Sequence, residues 1–173
     1  GVLYGKSKWL EKMPPYQVGG AMIDKVSFEK TTFKSHPMKF EAGTPNVGGV
    51  IGLGEAIKYV EEIGWKDILS YEDSLRKYAE SLLNEIPGMR IMGQSINKGA
   101  ITSFVVDGIH AYDIGTLLDR FGVSCRAGNH CTQPLHQVLG ISGTVRASFA
   151  YYNTKEEIEK FVDALKQILK MLR

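Results

Sequence analysis

One nine-residue stretch gathers the residue types that could do chemistry: Arg126-Ala127-Gly128-Asn129-His130-Cys131-Thr132-Gln133-Pro134. It follows an apolar run, Val123-Ser124-Cys125, that reads as a strand. Gly128 lets the backbone bend and Pro134 ends any ladder. Cys131 therefore falls on a loop at a strand end, with His130 beside it and Arg126 close by. The thiolate is the attacking form of cysteine, and positive neighbours raise its fraction. Cys131 is thus a candidate reactive thiol. A free cysteine is as readily a small buried hydrophobe, and neighbours in sequence need not meet in space, so local features leave both readings open. Cys125 reads as core, because it shares strand parity with Val123 while Ser124 and Arg126 face the other way.

A second position with chemical reach is Arg146, in the strand-like run Thr144 to Phe149. Val145, Ala147 and Phe149 share the face that packs on helices. Arg146, Ser148 and Ala150 share the other, so the guanidinium has room around it. It could grip a carboxylate through two parallel hydrogen bonds, the rival reading being a surface salt bridge. Taken alone the salt bridge is the plainer reading, and a nucleophile from a nearby strand end brings the substrate anchor level with it. A third position is the pair Gly43 and Thr44, which precede a helix and offer an amide and a hydroxyl to an anion. A turn with an N-cap is the plainer alternative there.

These residues must be held by elements that the patterning outlines. Gly1 to Tyr4 reads as a buried strand already under way, and Lys6 to Met13 as a short helix stopped by Pro14-Pro15. Ala21 to Phe33 has the β-branched and aromatic content of strand or hairpin structure, without clean alternation. Helices are expected from about Val47 to Ile63, with Ile51, Ala56, Ile57 and Val60 at near-helical spacing, and from Trp65 to Ile86, whose apolar side is Ile68, Tyr71, Leu75, Tyr78, Leu82 and Leu83. Met89 to Met92 and Ala100 to Val106 read as strands, the second with the continuous apolar run of one buried on both faces. A helix from His110 to Phe121 ends at Gly122 in a C-terminal cap. Leu135 to Leu139 can form a helical turn. Thr154 and Glu157 open a last helix with a near capping box, and Ile158, Phe161, Val162, Leu165, Ile168 and Leu169 form its apolar face. The order from Val47 on predicts an α+β layer, helices against a mostly antiparallel sheet, while residues 1 to about 46 do not close a core by themselves.

Composition bounds the rest. The chain has 173 residues, 43% hydrophobic and 23% charged, as in an ordinary globular protein. A net charge of +2, from 21 basic and 19 acidic residues, argues against an extended nucleic-acid or membrane surface. Two cysteines make no disulfide framework, and the five residues between them suit no common zinc pattern, so no metal site is expected. A reducing, cytoplasmic setting fits best. No apolar run approaches the roughly 20 residues of a membrane span, and the start lacks a signal-peptide layout. Because the opening strand has nothing exposed before it, the chain looks like a piece cut from a longer protein.

Five blocks together resemble the SUF-type (group II) cysteine desulfurases of the class V aminotransferase family. They are Gly19-Gly20-Ala21-Met22-Ile23, Phe40 to Asn46, His110-Ala111-Tyr112-Asp113, Arg126 to Pro134, and Arg146 to Thr154. The resemblance covers essentially the whole chain, in order. It implies a fold-type I enzyme dependent on pyridoxal phosphate. In that family the cofactor's lysine precedes the segment matching Gly1 to Tyr4, and no lysine here sits in its motif. The resemblance therefore implies a C-terminal part of the enzyme: residues 1–46 as a remnant of the large domain and 47–173 as the small α+β domain, inactive on their own.

Carried over position by position, Cys131 matches the cysteine that takes sulfur from substrate L-cysteine and holds it as a persulfide. Arg146 matches the arginine that binds the substrate carboxylate, and Arg126 a basic residue lining the same cavity. Gly43 and Thr44 match the pair reaching the cofactor phosphate of the neighbouring subunit in a homodimer. His130 is left as the single imidazole beside Cys131, because Asn129 stands where the family usually has a second His. The implied reaction converts L-cysteine to L-alanine and passes sulfur to an acceptor protein of the SUF system for iron–sulfur cluster assembly. A selenocysteine lyase or another class V lyase, or an interaction module that docks a sulfur acceptor, are the alternative expectations.

Overall fold

The computed structural model describes residues 1–173 as two compact units, Gly1–Tyr59 and Val60–Arg173. The first holds a short helix α1 (Ser7–Leu10) and an antiparallel hairpin of β1 (Ile23–Val26) and β2 (Thr31–Phe33). A 3-10 turn at Met38–Phe40 leads towards helix α2 (Val47–Ile63), which starts in this unit and ends in the next. Met22 is the one apolar side chain of this unit that is fully enclosed. The strand expected at Gly1 to Tyr4 does not form: Val2, Leu3 and Tyr4 lie exposed, with no strand beside them to complete a ladder. α2 matches its expected bounds yet buries none of its residues; Val50, Ile51 and Ile57 stay open.

The second unit carries α3 (Trp65–Asn84), β3 (Met89–Met92), β4 (Ile101–Val106), α4 (Ala111–Arg120), β5 (Arg126–Gly128), α5 (Gln133–Val138), β6 (Thr144–Ser148) and α6 (Lys155–Leu172). The four strands form one sheet in the order β3-β4-β6-β5, every neighbouring pair antiparallel. Helices α3, α4 and α6 supply most of the core against one face, with Leu75, Leu83, Ile114, Leu118, Leu165 and Ile168 fully enclosed. The apolar stripe expected in α6 is buried at all six positions, and its entry is a complete capping box between Thr154 and Glu157. This is the expected α+β architecture.

Two local expectations are corrected. β4 is not enclosed on both faces: Thr102, Phe104 and Val106 are buried while the residues between them are not. Its run of apolar letters overstated burial: Ser103 and Val105 on the second face are only half-buried and Ile101 is exposed. The strand expected at Val123-Ser124-Cys125 lies instead at Arg126–Gly128. α4 closes through Gly122 at φ +73, and the Val123 amide donates back to the Leu118 carbonyl at 3.0 Å. That closure holds residues 123–125 to the helix end, so pairing with β6 begins at Arg126.

Candidate active site around Cys131

The antiparallel register decides which side chains share the uncovered face. Arg126 of β5 lies directly opposite Arg146 of β6, and Arg146 lies opposite Ser103 of β4. Directly opposed residues hold their Cβ atoms about 4.5–5.5 Å apart and point the same way. Two guanidiniums are therefore side by side, an arrangement that is unfavourable unless something negative sits between or above them. No carboxylate of the chain forms an ion pair with either one. Arg146 is half-buried, and its Nε is enclosed with no hydrogen-bond partner. Val145 and Ala147 point to the core, as the strand parity required. The pair is thus a ready site for a small carboxylate, and Arg126 stands exposed at its outer end.

β5 runs into the turn that presents Cys131. The Thr132 amide donates to the Asn129 carbonyl at 2.8 Å, closing a four-residue turn. Its two central residues, His130 and Cys131, have φ of +49° and +60°. Two positive φ values in succession are the signature of a primed turn, which ordinarily recruits glycine or asparagine. Holding two other residues there costs of order 1–3 kcal/mol each, and such conformations cluster at functional sites. The turn leaves the Cys131 thiol exposed. Cys125, by contrast, is half-buried beside the core, and burial with the nearby Asp119 carboxylate pushes its thiol up to about 11. The two cysteines thus separate in chemistry as well as in place.

His130 does not act as the positive neighbour that its position beside Cys131 suggested. Its Nε2 lies 2.9 Å from Thr144 Oγ1, so the ring is held against β6 and makes no hydrogen bond to the thiol. Burial, then the Arg146 guanidinium, hold its pKa below the ordinary value, which favours a neutral ring. The arginine that lines a cleft together with Cys131 is Arg126. Thr132 Oγ1 also donates to the Asn129 carbonyl, at 2.8 Å, and the buried His136 places Nδ1 3.1 Å from the Thr132 carbonyl.

Arg126, Asn129, His130 and Cys131 line one open cleft of about 410 Å³, together with Tyr112, Gln133 and Pro134. Arg146 lies one strand further in and does not line it. The single cavity expected to hold both Cys131 and Arg146 is thus not formed by this chain: the arginine that lines the Cys131 cleft is Arg126, whose ladder partner is Arg146. Close packing positions this wall: a Cβ on Gly128 would come within 2.7 Å of the Tyr112 hydroxyl, and Gly128 has φ +122. Tyr112, Thr132, His136 and Thr144 were not singled out as site residues. Thr132 and His136 lie four apart at a helix start, a spacing that puts two side chains on one face. Tyr112 and Thr144 become visible only once the sheet is assembled.

Gly43 and Thr44 lie in the first unit. The Gly43 amide donates to the Gly20 carbonyl at 2.9 Å and is not free for an anion. Its positive φ of +80° sets the turn. The α2 cap is Asn46, whose Oδ1 accepts from the Gly49 amide at 3.0 Å, so the Thr44 hydroxyl is exposed and unengaged.

With this geometry in hand, comparison with known proteins places the chain. Residues 1–161 match the family model described as aminotransferase class-V. The chain belongs to the class-V aminotransferase family. It is 48% identical over 172 residues to a probable cysteine desulfurase of Xylella fastidiosa, covering 99% of this chain and 41% of that protein. The crystal structure of the cysteine desulfurase CsdA (S-sulfonic acid) from Escherichia coli superposes with a TM-score of 0.89 at 42% identity, over 97% of this chain and 42% of that one. An apo cysteine desulfurase from Thermococcus onnurineus gives a TM-score of 0.88 at 36% identity, again over 97% of this chain and 42% of the other. The class-V chain described here thus spans about two fifths of the length of the relatives that it matches.

Proposed function

We propose that this chain is the C-terminal part of a pyridoxal-phosphate-dependent cysteine desulfurase of the SUF type. It converts L-cysteine to L-alanine and holds the sulfur as a persulfide on Cys131. The observation that carries the reading is an exposed thiol on a strained turn at the end of β5, in a cleft lined by Arg126, whose guanidinium and that of its ladder partner Arg146 no carboxylate of the chain neutralises. The names of the relatives, cysteine desulfurases, support the same reaction.

Arg146 and Arg126 receive the substrate carboxylate; the two opposed guanidiniums, half-buried at Arg146 and exposed at Arg126, suit charge-assisted bonds. The carboxylate removes the like-charge repulsion between them. The substrate sulfur then lies towards the Cys131 cleft. Cys131 attacks as thiolate; a sulfur–sulfur bond forms, the substrate's carbon–sulfur bond breaks, and the electron pair stays on carbon, which takes up a proton to become alanine. Pyridoxal phosphate, when bound, supplies the electron sink for this cleavage. Of the residues present, Thr44 fits a phosphate contact of a neighbouring subunit in a homodimer, since its hydroxyl is exposed and unengaged. Gly43 shapes that turn and does not donate its amide. The persulfide on an open turn is accessible to an acceptor protein of the SUF system, in a cytoplasmic setting.

The test is intact-mass analysis of the full-length protein after incubation with L-cysteine. The wild type gains the mass of one sulfur atom at Cys131 and releases alanine. Cys131→Ala still shows the cofactor's spectral response to cysteine and gains no sulfur; a persulfide on that variant refutes the assignment.

A further inference from the structure

Around the Cys131 turn lies a set of polar side chains, His136 and Thr144 buried and Thr132 exposed, to which the proposed reaction gives no part. His136 is 6% exposed, and its ring meets the turn through Nδ1 alone. A carbonyl oxygen only accepts, so the 3.1 Å approach to the Thr132 carbonyl puts the proton on Nδ1. Thr132 Oγ1, 3.3 Å from that same nitrogen, points its own proton at the Asn129 carbonyl 2.8 Å away. The Asn129 carbonyl thereby accepts twice from Thr132, once from the amide and once from the hydroxyl. On the other side, Thr144 holds His130. The turn between these anchors is the one with two consecutive left-handed residues, neither of them glycine or asparagine.

A conformation that costs of order 1–3 kcal/mol per residue persists only where its surroundings over-determine it. We propose that Thr132 and His136 form a clamp that holds the His130-Cys131 turn left-handed, and that His136 is a positioning residue for the Cys131 thiol. This deepens the desulfurase reading and rests on it for the catalytic half of its consequence. The physical logic is geometric. Relaxation of either residue out of the left-handed region swings the Cys131 side chain away from the arginine pair. A misplacement of about 1 Å at a reacting atom can cost on the order of 100-fold in rate. Substrate binding, which falls to Arg146 and Arg126, is left alone.

The experiment compares Thr132→Val and His136→Leu, which remove the hydroxyl and the ring donor, with Thr132→Ser and His136→Asn, which keep a donor in place. All four are made in the full-length protein. Hydrogen–deuterium exchange at the Thr132 amide reads the turn directly, and steady-state kinetics with L-cysteine read its consequence. Thr132→Val and His136→Leu are expected to exchange about tenfold faster at that amide. Their kcat falls about tenfold, with KM within about twofold of wild type. The donor-keeping variants remain close to wild type in both readouts. Unchanged exchange in Thr132→Val overturns the clamp. Faster exchange with unchanged kcat, or a fall in kcat/KM carried by KM, overturns the positioning role. Loss of both readouts in Thr132→Ser as well points to general damage and also overturns it. Persulfide formation in Cys131→Ala removes the desulfurase reading instead, while the exchange measurement still judges the clamp.

Discussion

Substituting Gly115 by alanine probes how tightly β5 must be held. Gly115 lies in the middle of α4, where alanine is intrinsically favoured over glycine by up to about 1 kcal/mol. On propensity alone Gly115→Ala stabilises. The packing says otherwise: a Cβ at Gly115 would stand 2.8 Å from the Ala127 Cβ, closer than real Cβ contacts allow. α4 and β5 must separate by at least about 0.6 Å to restore ordinary contact. Overpacking of this kind costs about 1–3 kcal/mol. With the full propensity gain set against it, the net expectation is a destabilisation of about 0–2 kcal/mol. Because β5 carries Arg126 and leads into the Cys131 turn, kcat in the full-length protein falls about tenfold with it. Adding Ala127→Gly removes the overlap, at a cost of about 0.5–1 kcal/mol for a glycine in a strand, and returns stability to near the wild-type value. Urea midpoints of the four proteins give the coupling energy directly, expected to exceed about 1 kcal/mol. A more stable Gly115→Ala, or effects of the two substitutions that simply add, refutes the close approach of α4 to β5.

The charge arrangement gives two further expectations. Arg146→Ala raises KM for L-cysteine about 10- to 100-fold, as expected for a lost charge-assisted bond, and Arg146→Lys recovers only part because an ammonium lacks the two-pronged geometry. Unchanged affinity in Arg146→Ala removes the anchor. His130, held below its ordinary value of 6.5 by burial and then by Arg146, titrates below that pH in an imidazole NMR experiment. In the unfolded chain it takes up a proton near 6.5 while the folded ring does not. Its contribution to stability is therefore fully present above 6.5, is lost as pH falls from there through the folded value, and levels off below. A His130 midpoint at or above 6.5 contradicts the half-buried, Thr144-bound ring.

Much of this molecule is decided by local periodicity. The apolar stripe of α6, that of α3 apart from the exposed Tyr71, the capping box at Thr154 and Glu157, the glycine stop at Gly122 and the bounds of α2 and β3 follow from residue spacing, because a helix or strand imposes its repeat on whatever buries it. Cys131 on a loop and Arg146 on the face away from Val145 and Ala147 follow from the same parity. Tertiary structure alone decides what depends on non-local pairing. The register of β5 against β6 sets Arg126 opposite Arg146, and a shift of one residue would turn one of them to the core. Closure of α4 onto Val123 delays the strand to Arg126, and β4 is buried on one face only. The proximity of His130 to Cys131 in sequence says nothing of their relation in space. The left-handed turn sends the imidazole down to Thr144 and leaves the thiol open, and that turn is held by Thr132 and His136, whose partners the fold supplies.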